Sequence, residues 1–221
     1  MIAAAMRVAR KDLRSELRSK ESLNAAVSVT LVLLLLFSFA FDPVAEDTNQ
    51  WAGGLLWLVY SFAAVLIVNR AFARETPNDC LEALRASPVP ASALFLGKAI
   101  ASFILLLAVE LIALPAFAVF YNVQLTARPM PLTVALVLAT WGVVTIGTAF
   151  GAVTVNLQLR ELMLPVLIYP MMIPALVAAI ELTSATVTNS EPLGLWFRLL
   201  IGFDIIFTSL ALMLAEVILT D

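Results

Sequence analysis

The sequence predicts an all-α integral membrane protein. It has six transmembrane helices, an amphipathic N-terminal helix on the membrane surface and a short charged helix between spans two and three. Three observations predict it. Of 221 residues, 62% are hydrophobic and 13% charged, and mean hydropathy is +1.00, far from the composition of water-soluble domains. The apolar residues fall into six runs of roughly the 18 to 25 residues a helix needs to cross the bilayer core, where every backbone group must pair within its own segment. The charges are segregated as well: of 13 Lys and Arg, all but Arg128 and Arg198 lie on one side of the predicted membrane. Insertion keeps that side in the cytoplasm, so both termini are assigned there.

Residues 1–22 form the first element. At 100° per residue Ile2, Met6, Ala9, Leu13 and Leu17 share one arc, and Arg7, Arg10, Lys11, Arg14 and Arg18 occupy the arc beside and beyond it. Such a helix lies in the interface, with its stripe in lipid and its guanidinium groups among anionic headgroups. The spans follow at Leu23–Phe41, Trp51–Ala71, Ala99–Tyr121, Pro131–Val155, Leu162–Ile180 and Leu195–Leu219. The first is read as a span rather than a signal peptide, because its leader contains acids and its apolar run exceeds a signal-peptide core. With no long polar tail, residues 1–221 read as one membrane domain.

The interruption FARETPNDCLEALRASPVPASALFLGK, Phe72 to Lys98, separates spans two and three. Thr76, Pro77 and Asp79 make a helix start, and Pro88 and Pro90 stop it. The two or three turns between them are too short to stand alone in water. Cys80, Leu81 and Leu84 cover one side of that helix, while Asp79, Glu82 and Arg85 follow on the other. Spacing leaves two docking places open: a groove in a cytoplasmic partner, or the ends of the chain's own spans.

Inside the membrane, Glu110 lies in span three and Asp204 in span six. An ionised acid there costs on the order of 3 kcal/mol, so each must be neutralised, hydrogen-bonded or placed beside a wet cavity. Lining of a translocation path and a satisfied interhelical bond are both open, the former favoured for Glu110. Pro165, Pro170 and Pro174 remove amide donors from span five, which is expected to kink or partly break, as a hinge or as a fixed bend. Gly142, Gly147 and Gly151 predict close packing of span four. The adjacent Met171 and Met172 point in different directions and read as apolar packing, not haem ligands.

Several chemistries are excluded. The chain has no histidine, hence no imidazole-dependent site, and its single Cys80 forms no intrachain disulfide and no metal cluster. A formal charge of −3 with no broad basic surface gives no nucleic-acid partner. No GxxxxGK[ST] loop occurs, so P-loop ATP hydrolysis does not take place in this chain.

Six spans, a basic N-terminal helix and a charged segment between spans two and three resemble the ABC-2 class of transporter permeases. More narrowly, Phe72, Glu75, Leu81-Glu82, Leu84, Ser87-Pro88 and Gly97-Lys98 are similar to the pattern of the CcmB family, haem exporter protein B of cytochrome c maturation. Cys80 departs from a glycine in that pattern. The resemblance implies an ABC-2 exporter-like fold in a prokaryotic plasma (inner) membrane, with residues 72–97 as a coupling segment. It implies an ATPase-coupling interface at Glu75, Asp79, Leu81, Glu82, Leu84 and Arg85. The implied assembly is a homodimer with two CcmA-like ATPase subunits that hold the ATP. CcmC and CcmD are further partners, CcmE is the client chaperone, and the surroundings are membrane lipid. The chain itself would be a non-catalytic permease binding no cofactor directly, with haem as possible cargo. Two other functions fit the residues: an ABC-2 permease for lipid, polysaccharide or drug, and an ion-coupled carrier using Glu110 and Asp204.

Overall fold

A computed structural model describes residues 1–40, 48–73, 89–123, 129–154, 160–188 and 193–220. Among them are seven helices and no strand: α1 (Ile2–Ser19), α2 (Glu21–Ala40), α3 (Thr48–Ala73), α4 (Ala91–Tyr121), α5 (Pro129–Val153), α6 (Arg160–Thr188) and α7 (Leu193–Thr220). The six from α2 to α7 are long and apolar enough to cross a membrane. Each coincides with a span predicted from hydropathy.

Two ends differ from expectation. The third span begins at Ala91, eight residues before Ala99, because Pro90 opens the helix and its carbonyl accepts the amides of Ala93 and Leu94. Gly97 and Lys98 thus lie within α4, not ahead of it. The fifth span continues past Ile180 to Thr188. The hydroxyls of Thr183 and Thr186 donate to the carbonyls of Ala179 (2.7 Å) and Leu182 (2.6 Å), so these polar residues are satisfied by the helix they extend. Nor is α6 broken: Pro165, Pro170 and Pro174 all lie inside one continuous helix. Pro170 and Pro174 are on its exposed face.

Over an 18-residue apolar stretch of α3 and of α5, 67% of residues are buried inside the bundle, against 17% for such a stretch of α2. These two helices form the centre. α3 packs on α2, α4, α5 and α6, and α5 packs on α3, α4, α6 and α7. Small residues allow the close approach. A Cβ on Gly147 of α5 would come within 2.9 Å of Val68 Cγ2 on α3, and one on Gly151 would meet the same valine at 3.5 Å. The expected tight packing of span four therefore falls within one chain. At one end of the bundle, Tyr121 of α4 donates its hydroxyl to the carbonyl of Leu34 on α2 (2.7 Å) and meets Trp51 edge to face.

α1 packs on α4 through Ala5, Val8 and Ala9. Ile2, Met6 and Leu17 remain exposed, as a lipid-facing stripe requires. Ala9 departs from the predicted stripe, being 1% exposed, because its small side chain lies where α4 comes close. The chain turns at Lys20, which adopts a left-handed conformation (φ 55°) and closes α1. Buried Glu16 then accepts the amide of Leu23 at 2.8 Å, capping the first turn of α2 from the preceding helix.

Candidate functional site

The residues predicted to engage an ATPase, Glu75, Asp79, Leu81, Glu82, Leu84 and Arg85, lie outside the described residues. The structure shows the roots of that segment, where α3 ends and α4 begins. Lys98 of α4 has a fully buried side chain, and its Nζ donates to the carbonyl of Ala71 in the last turn of α3 at 2.7 Å. The same ammonium lies 4.8 Å from the centroid of the Phe72 ring and 3.4 Å from Asp12 Oδ2 of α1. Beside it, a Cβ on Gly97 would stand 2.6 Å from both the Ala5 carbonyl oxygen and Val8 Cβ, so glycine sets how near α1 comes. Composition counts Lys98 only as one more topogenic charge. The signal that sets it apart is its place inside an apolar helix, directly after a glycine.

Glu110 is brought to α5 at mid-bundle. The Thr140 hydroxyl lies 2.8 and 2.9 Å from its two carboxyl oxygens, and Tyr60 of α3 donates to its backbone carbonyl at 3.2 Å. Trp57, Tyr60, Leu106, Val143 and Leu176 close around the pair and leave no space for a water molecule. Thr140 and Tyr60 were not singled out from sequence, because nothing in an all-round apolar helix marks which polar residue will face an acid on another.

Asp204 approaches α5 from the other flank. Its Oδ1 would be 2.6 Å from a Cβ on Gly142, and neither carboxyl oxygen has a hydrogen-bond partner among the described residues. One turn further along α7, Thr208 accepts the indole N–H of Trp141 at 3.0 Å. The two acids reach α5 two positions apart but from different neighbours, α4 and α7. Beyond Asp204 an apolar crevice of about 180 Å³ runs between α5, α6 and α7, with Phe150, Met171, Phe207 and Leu214 among its walls. Met171 faces this crevice, whereas Met172 is fully buried. The two methionines do point apart, as helix geometry requires. No group of three metal-ligating side chains occurs among the described residues.

Six spans surrounding buried intramembrane acids, with a basic helix bound to one end of the bundle, define a multi-pass membrane protein. The family model described as "CcmB protein" matches residues 3–217. The chain belongs to the CcmB family. It is similar to Heme exporter protein B of Rhodobacter capsulatus, with 31% identity over 172 residues, 78% of each chain. Heme exporter protein B of Paracoccus denitrificans is 25% identical over 183 residues, 83% of this chain and 84% of the relative. The protein of the same name from Pseudomonas aeruginosa is 27% identical over 198 residues, 88% of this chain and 87% of the relative.

Proposed function

We propose that this chain is the transmembrane permease subunit of an ABC transporter complex for cytochrome c maturation. It works in a prokaryotic plasma (inner) membrane with both termini in the cytoplasm. The observation that carries this reading is the CcmB family match across nearly the whole chain. With no phosphate loop in the sequence, ATP is hydrolysed by a CcmA-like partner, two copies of which bind a homodimer of this chain. Residues 72–97 couple that partner to the bundle. Leu81 and Leu84 seat in the ATPase, and Glu75, Asp79, Glu82 and Arg85 belong to the same coupling interface. The stroke drives haem export or release of the haem-loaded chaperone CcmE, in company with CcmC and CcmD.

Within the bundle, Glu110 and Asp204 are the polar groups of the translocation path, and Pro165, Pro170 and Pro174 are its hinge. Each proline withholds an amide from the carbonyl four residues earlier, which lowers the resistance of α6 to bending without interrupting it.

Leu84→Asp tests the coupling assignment. Placing a charge on the seating face is expected to abolish copurification of the ATPase, while membrane insertion of this chain stays at the wild-type level. Copurification at the wild-type level overturns the assignment. Mass spectrometry of the gently solubilised wild-type complex counts the copies of each subunit and shows whether haem travels with them.

A further inference from the structure

We propose that Lys98 is a latch that joins α1, the last turn of α3 and the first turns of α4. Through it, the basic N-terminal helix and both roots of the 74–88 segment shift as one body. Residue 74 follows directly on α3, and the chain re-enters the bundle at α4, so these two helix ends are the covalent route by which movement of the segment reaches the spans. Independent helix ends fray, because their last carbonyls lack partners and open at little cost. Lys98 removes that independence. Its ammonium occupies the Ala71 carbonyl, one of the terminal acceptors of α3, and lies over the ring of Phe72, itself 0% exposed. The positive charge also stands at the negative end of the α3 dipole.

The third arm reaches α1. Asp12 approaches Lys98 at 3.4 Å while its other oxygen pairs with Lys11 at 3.2 Å. Gly97 provides the near approach that makes this contact geometrically possible. Because Glu16 caps α2 through the amide of Leu23, α1 is fixed both to the first span and to the root of the third. It serves as a bracket as well as a surface helix.

A burial argument separates the latch from simple core packing. Removing an ammonium group from water is costly, and an apolar side chain of similar volume fills such a site without that cost. What a cation adds is directional ties to groups on other elements: a carbonyl, a ring face and a carboxylate. A slide of α3 against α4 by one turn breaks the 2.7 Å bond and withdraws the ring together, so the joint moves whole or opens.

The latch stands on these contacts. Its use in transmitting motion rests on the coupling role proposed above for residues 72–97. Lys98→Met keeps side-chain volume and removes the ties. In the purified full chain in lipid nanodiscs, it is expected to raise amide exchange about tenfold in both 2–19 and 66–73, the scale of one lost hydrogen bond to a charged group, and to leave α5 and α7 unchanged. Asp12→Asn is expected to raise exchange in α1 alone. No change in exchange, change confined to α4, or an equal rise in α5 and α7 overturns the latch. In cells, Lys98→Met is expected to keep the ATPase bound and to cut the yield of mature cytochrome c. Full yield with lost protection overturns the transmitting role. If wild-type chain brings down no ATPase, the coupling reading fails, and the exchange measurement still decides the latch.

Discussion

Glu110 and Thr140 act as one hydrogen-bonded unit that joins α4 to α5 in a site too tight for water. A buried carboxyl group deprived of its partner costs about 1–3 kcal/mol. Thr140→Val is therefore expected to shorten the half-life of the detergent-solubilised protein at elevated temperature. Glu110→Gln is expected to leave it near wild type, since an amide accepts from Thr140 and also has hydrogens to return. Stability alone thus separates loss of the pair from loss of the acid. Turnover then tests the path-lining role: Glu110→Gln is expected to assemble normally and lower cytochrome c maturation, and full activity assigns the residue to packing. The acid itself was legible in the sequence, because a Glu inside an apolar run is costly unless it is neutralised, hydrogen-bonded or beside a wet cavity. Its partner was not, since Thr140 lies 30 residues away among other threonines of the same helix.

At the scale of the element, hydropathy located all six spans, because length and apolarity suffice to specify a helix in lipid. It misplaced the ends where polar residues belong to the helix: Gly97-Lys98 at the start of α4, and Glu181 to Thr188 at the end of α6. Faces were legible only for α1, whose charges define a direction. Helices that are apolar all round carry no such mark, so the contact of α5 with α3 through Gly147 had to come from the structure. That contact makes a quantitative contrast. Gly147→Leu drives a side chain into Val68, where a Cβ alone would stand 2.9 Å from Cγ2, and is expected to cost about 1–3 kcal/mol or more as overpacking. Gly202→Ala meets nothing within 4 Å and is expected to be neutral or slightly stabilising, as alanine is the better helix former. Thermal inactivation of the two purified variants side by side checks the difference. Equal half-lives would mean that α3 and α5 do not meet at Gly147.

For the whole molecule, orientation and coupling reduce to one geometric fact. Lys98 touches α1, the end of α3 and the start of α4 at once, so the basic helix and both roots of the 74–88 segment share one end of the bundle. They cannot be assigned to opposite sides of the membrane. Eleven of the 13 Lys and Arg residues argue that this end is cytoplasmic, the side on which the proposed coupling to an ATPase requires the segment to lie. Cys80, the chain's single cysteine, lies in that segment and reports the side directly. A membrane-impermeant maleimide is expected to label it in inverted membrane vesicles and to leave it unlabelled in intact spheroplasts until the membrane is opened. Detergent-solubilised protein supplies the control for a thiol hidden by a partner, since labelling there without labelling in vesicles reports shielding rather than sidedness. Labelling in intact spheroplasts would turn the whole bundle over. It would take α1 away from the anionic cytoplasmic leaflet and remove the coupling segment from any ATPase, leaving an ion-coupled carrier built on Glu110 and Asp204 as the reading to pursue.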